Sequence, residues 1–163
     1  MIPINVTHTA IVTKAVHTKL LAPSTYVSGS YSSTHGHRLH ALPPAETPLR
    51  HTLSTLMSFF AAAYEMVFDF KEGPPLHDAL TIAYVAHPEL FTCKRYRVDV
   101  ELRGTHTTGE TVVDIWDYRK CGDSWGEDGK NCLVAQKLDV DAFFEYFLDC
   151  VTRCDQVSPL NRT

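Results

Sequence analysis

The chain has 163 residues, 44% of them apolar and 21% charged, with a formal charge of −4 and a pI near 6.1. That balance excludes collagenous, low-complexity and disordered classes, and the length suits one domain with a real core. Without a basic surplus, neither nucleic acid nor an anionic membrane surface is an expected partner.

The longest uncharged apolar stretch, 56–64, is too short to span a bilayer. The N-terminus shows no basic region ahead of an apolar run, so no secretory signal is expected. Five cysteines (Cys93, Cys121, Cys132, Cys150, Cys154) are an odd number with no C-x-x-C pair, which argues against a disulfide framework and a zinc finger. Reduced thiols and a cytoplasmic location fit them best. The N-x-T sequons at Asn5 and Asn161 then read as chance matches.

The chain opens on a strand-like apolar run, 1–6. Thr7 and Thr9 offer N-cap chemistry for a helix over 10–21, where Ile11, Val12, Ala15, Val16 and Leu20 share a face. Residues 23–46, rich in Ser, Gly, His and Pro, read as a loop. Thr47-Pro48 starts a long helix, with Leu49, Leu53, Leu56, Phe60, Tyr64 and Val67 at helical spacing. It stops before Gly73-Pro74-Pro75. A short helix over 76–86 is apolar on most sides and is expected to be buried. Alternation over 94–103 predicts one half-buried strand, with Tyr96, Val98, Val100 and Leu102 inward. A second strand over 111–116 pairs with it as a hairpin through Gly104 to Gly109. A polar loop over 121–130 leads to a third strand, 131–135. Asp139 caps a last helix striped by Phe143, Phe144, Phe147, Leu148 and Val151.

Candidate chemistry centres on His77-Asp78, which follows a rigid Gly-Pro-Pro at a helix start. A helix N-terminus gathers unpaired N–H groups that orient a carboxylate. Two readings stay open on pattern alone: a functional pair, or a turn histidine beside a helix-capping aspartate. His35, His37 and His40 form a loop able to bind a transition metal, but no cysteine or carboxylate completes a ligand set, so a solvated loop is the simpler reading. Cys150 and Cys154 share a helix face and read as small core residues. Asp139 and Asp141 read as helix-start carboxylates. No G-x-G-x-x-G, Walker-type, G-x-S-x-G or H-E-x-x-H motif occurs.

Four stretches together resemble the inosine-uridine-type nucleoside N-ribohydrolases. They are Ile2-Pro3-Ile4-Asn5-Val6-Thr7-His8, Glu72-Gly73-Pro74-Pro75-Leu76-His77-Asp78, Ala86-His87-Pro88-Glu89-Leu90-Phe91, and the hairpin 98–113 with Gly104-Thr105-His106-Thr107-Thr108-Gly109. Their order and spacing match over nearly the whole chain, as does the aromatic-rich helix before Gly-Pro-Pro. The resemblance implies an α/β fold, the C-terminal part of a mixed sheet flanked by helices, with a β-hairpin and a C-terminal helix. It implies hydrolysis of the N-glycosidic bond of purine or pyrimidine ribonucleosides to ribose and free base, in nucleoside salvage. It places Asp78 as one ligand of a Ca2+ ion, His77 as the acid that protonates the leaving base, and Tyr64 near the base.

The family's aspartate cluster, of the form Asp-x-Asp-Pro-Gly-x-Asp-Asp, does not occur here, nor does its Glu-Phe-Asn-type ribose segment. On the resemblance, residues 1–163 read as a partial domain, the C-terminal half without the N-terminal aspartate-cluster half. Calcium takes six to eight oxygens, of which Asp78 supplies at most two. This chain alone is therefore expected to be inactive or weak. The alternative is a non-catalytic regulatory fragment whose sheet edge pairs with a full-length homologue, since the family forms oligomers. A His-loop metal binder is the third reading.

Overall fold

The computed structural model describes residues 10–23 and 43–162, together with the backbone of 2–3. The Thr7 and Thr9 caps, His8 and the histidines at 35, 37 and 40 lie outside the described residues. Two compact units divide the chain: Met1–Val6 with Phe91–Leu138, and Thr7–Leu90 with Asp139–Thr163.

The first unit is built on β1 (Ile2–Pro3), β2 (Phe91–Tyr96), β3 (Val98–Val100), β4 (Thr111–Val113) and β5 (Cys132–Leu138). β5 is the middle of a mixed three-stranded sheet, parallel to β1 and antiparallel to β2. β3 and β4 pair antiparallel as the expected hairpin, with Asp99 opposite Val112. The single strand expected over 94–103 is instead two. Arg97 breaks it, and each half takes a different partner. Tyr96 and Val98 are buried with Val134, with Val113 and Cys132 packed against them. Val100 and Leu102, expected inward, are exposed. β4 is shorter than expected and β5 longer.

The second unit packs α1 (Lys14–Leu21), α2 (Pro48–Phe68), α3 (His77–Ala86) and α4 (Val140–Val157). α2 starts as read: the Thr47 hydroxyl accepts the Arg50 amide and Pro48 fills the first turn. The Asp139 carboxylate caps α4 through the Ala142 amide. α1 starts at Lys14, behind the cap Thr13, so the expected helical start at 10 is wrong. Residues 10–12 are extended and pair with 74–76: Val12 N donates to Pro74 O and Leu76 N to Ala10 O, both at 2.9 Å.

Arg50, 2% exposed, ties three helices of this unit together. Its guanidinium pairs with Asp155 on α4 at 2.6 Å, donates to Leu20 O in the last turn of α1 at 2.6 Å, and to Thr152 at 3.1 Å. A cation at a helix C-terminus satisfies an orphan carbonyl and meets the negative end of the dipole. Asp155 also accepts the Thr47 hydroxyl at 2.7 Å. Burial pushes its carboxyl pKa up, but hydrogen bonds from Thr47, Asn161 and Arg50 outweigh that and hold it below the ordinary value. No helix among the described residues is long and apolar enough to cross a membrane.

Candidate active site

His77 and Asp78 open α3, and the chain before them fixes where they stand. Gly73 has φ +136°, a conformation L side chains avoid. Pro74 and Pro75 follow, buried and held by the pairing with 10–12. The helix therefore begins at His77 from a braced segment. Its N-cap is Leu76, with no side-chain cap bond. Asp78 is therefore not the helix cap that the plainer reading gave it; it stands in the first turn with its side chain exposed.

Tyr64 reaches the same place from α2. Asp69 ends that helix in the left-handed conformation, φ 57°, and its N–H returns to Glu65 O. The reversal lays Phe70 back against Tyr64, ring centroids 5.8 Å apart, with Phe68 at 5.3 Å. Tyr64 Oη stands 2.8 Å from His77 Nε2. Either the phenol donates to a neutral Nε2, or a protonated Nε2 donates to the phenol oxygen. The histidine ring thus lies beside the Tyr64 ring, which is also its polar partner, a placement that lets a general acid be oriented.

All three candidate residues, His77, Asp78 and Tyr64, fall in the second unit. Tyr64 and His77 touch; Asp78 is their chain neighbour. Phe68 and Phe70 pack on Tyr64, and the sequence reading had not singled them out. Their signal was the aromatic density of 59–70 astride a helix end, which reads equally as core. At the opposite end of α3, His87 Nδ1 pairs with Glu89 at 2.8 Å and holds that carboxyl below its ordinary value, and the His87 and Tyr146 rings meet edge to face with centroids 4.4 Å apart.

Among the described residues no three His, Cys, Asp or Glu side chains cluster as a metal site. Asp78 fits one place in a hard-cation shell, but one carboxylate does not make a calcium site. The described residues therefore do not hold the ion by themselves. Cys150 and Cys154 are free thiols, half-buried and exposed.

The family model for inosine-uridine preferring nucleoside hydrolases matches residues 1–145. A probable ribonucleoside hydrolase of Dictyostelium discoideum is 35% identical over 109 residues, 67% of this chain and 30% of that protein. An inosine-uridine preferring nucleoside hydrolase of Leishmania major is 37% identical over 100 residues, 60% of this chain and 28% of that protein. The chain thus spans under a third of the length of these relatives. The solved purine-preferring ribonucleoside hydrolase of Gardnerella vaginalis shares the fold with a TM-score of 0.66, at 23% identity, over 97% of this chain and 40% of its own.

Proposed function

Since the chain belongs to the inosine-uridine preferring nucleoside hydrolase family, we propose that it carries the leaving-group side of a ribonucleoside N-glycosidic bond hydrolase. Cleaving the C–N bond builds positive charge on the ribose and negative charge on the departing base. A proton given to the base relieves the second. His77 gives that proton from a ring that Tyr64 orients through Nε2. The Asp78 carboxylate contributes one ligand to Ca2+. The described residues do not hold that ion by themselves.

The observation that carries this reading is the 2.8 Å contact of Tyr64 with His77, one residue before an exposed carboxylate at a helix start. Its test uses a chimera in which this chain replaces its matched segment in the Dictyostelium discoideum relative. His77→Ala is expected to lower uridine turnover by about a hundred- to ten-thousand-fold with KM little changed. The loss shrinks on a nitrophenyl riboside, whose leaving group departs without a proton. Equal losses on both substrates would show that His77 is a structural helix-start residue.

A second reading, a non-catalytic fragment that pairs with a full-length homologue, draws support from the lack of a metal cluster among the described residues. It expects the added chain to change the turnover of an intact relative, which the first reading does not.

A further inference from the structure

We infer that Cys150 and Cys154, one turn apart on α4, form a binding site for a single soft, two-coordinate cation of the Cu(I) class. Their spacing reads in the sequence as two small core residues. Both thiols are instead free, Cys150 half-buried and Cys154 exposed. Side chains at i and i+4 lie one above the other on a helix face, with Cβ atoms about 5–6 Å apart. A disulfide draws its Cβ atoms to about 3.5–4.5 Å, so this pair does not close an S–S bond while the helix stays wound. One metal atom between the sulfurs, with metal–sulfur bonds of about 2.3 Å as for zinc, spans the wider gap.

The donor set decides the ion. Zinc fills a tetrahedral shell of four ligands, and among the described residues no third His, Cys, Asp or Glu side chain joins these two. Thiolate is a soft donor that selects Cu(I), and a closed-shell monovalent ion is satisfied by two thiolates in line. Binding breaks both S–H bonds and forms two S–Cu bonds; two protons leave, and the S–Cu–S unit carries one net negative charge. The surroundings of Cys150 meet that charge. Arg153 Nη2 donates to Cys150 Sγ at 3.2 Å, while Asp149 holds the same guanidinium through Nε at 3.0 Å. On the preceding turn, a hydrogen bond with Cys150 holds the Tyr146 phenol above its ordinary value, so the phenol remains a donor to the sulfur. Such outer partners orient a ligand and tune its metal. A Cu(I) ion carried by a small thiol meets the exposed Cys154 first, and Cys150 then displaces the carrier.

The test adds Cu(I), buffered by a competing chelator under anaerobic conditions, to the freshly reduced 163-residue chain. The expected result is one copper per chain, the masking of one thiol pair among the five cysteines, and an X-ray absorption spectrum with two sulfur neighbours. Cys154→Ser, on the exposed side, abolishes the binding and leaves the far-ultraviolet circular dichroism unchanged; Cys150→Ser does the same. Replacing Cys93, Cys121 and Cys132 together by Ser leaves the binding and the two-sulfur spectrum as they were. Arg153→Gln keeps the stoichiometry and weakens the affinity by about 10- to 100-fold. Zn(II) offered in place of Cu(I) is not retained. Copper kept by Cys154→Ser overturns the proposal. So does one ion shared by two chains, a spectrum with three sulfurs, or Zn(II) held as tightly as Cu(I).

Discussion

Between Tyr64 and His77 a single hydrogen bond decides how the imidazole is held. Its removal leaves the acid in place but lets the ring turn. A hydrogen bond of this kind contributes about 0.5–1.5 kcal/mol. Tyr64→Phe in the chimera should therefore cost roughly two- to tenfold in uridine turnover, far less than His77→Ala. Steady-state kinetics checks this: the loss should lie in kcat, and a loss equal to that of His77→Ala would make the phenol itself the proton donor. Arg50 and Asp155 show the opposite economy. Breaking a buried pair from one side leaves an uncompensated charge, and that costs about 3–5 kcal/mol. Asp155→Ala should destabilise the fold by about that much, read by urea unfolding. Because hydrogen bonds hold the Asp155 carboxyl below its ordinary value, its contribution is present above the unfolded carboxyl's pKa of about 3.9. It is lost as pH falls through the lower folded value. The parent's excess stability over Asp155→Ala should accordingly shrink in that acid window and stay constant above it.

At the level of the element, Gly73 is where substitution tells most about how α3 is aimed. A side chain at φ +136° costs about 1–3 kcal/mol. Gly73→Ala should lower the melting temperature, and in the chimera it should also lower turnover by displacing His77. The elements read well from sequence are those whose signals are local. Thr47-Pro48 and apolar spacing define α2, and Asp139 defines the start of α4. Those read poorly depend on distant partners. Residues 10–12 carry helical apolar spacing and a threonine on either side, yet they are extended because 74–76 offers them a strand. The alternation over 94–103 places Tyr96 and Val98 inward correctly, but it shows neither that Val100 and Leu102 are exposed nor that β2 and β3 pair with different strands. His77-Asp78 was legible as a motif. The Tyr64 contact was not, because it depends on the left-handed turn at Asp69, where the residue type gives only a weak hint.

For the molecule as a whole, the outward side of α2 governs behaviour in solution. Leu56, Phe59, Phe60, Met66 and Val67 are all more than half exposed, and exposed apolar surface of this extent favours association. The 163-residue chain alone should elute from size exclusion as oligomers, and Phe59→Lys with Met66→Lys should shift it toward the monomer. The same preparation should show no uridine or inosine hydrolysis with excess Ca2+; turnover that vanishes on Asp78→Ala would contradict this. One segment of the fold is protected against such association. Pro74 and Pro75 have no N–H, and the Leu76 amide, the last donor of that short strand, is already given to Ala10. Buried, and with the Pro74 carbonyl already taken by Val12, this segment offers a foreign strand no donor on which to build a ladder. The segment that aims His77 is thus closed to the edge-to-edge stacking that seeds fibrils, however readily the helical faces cling.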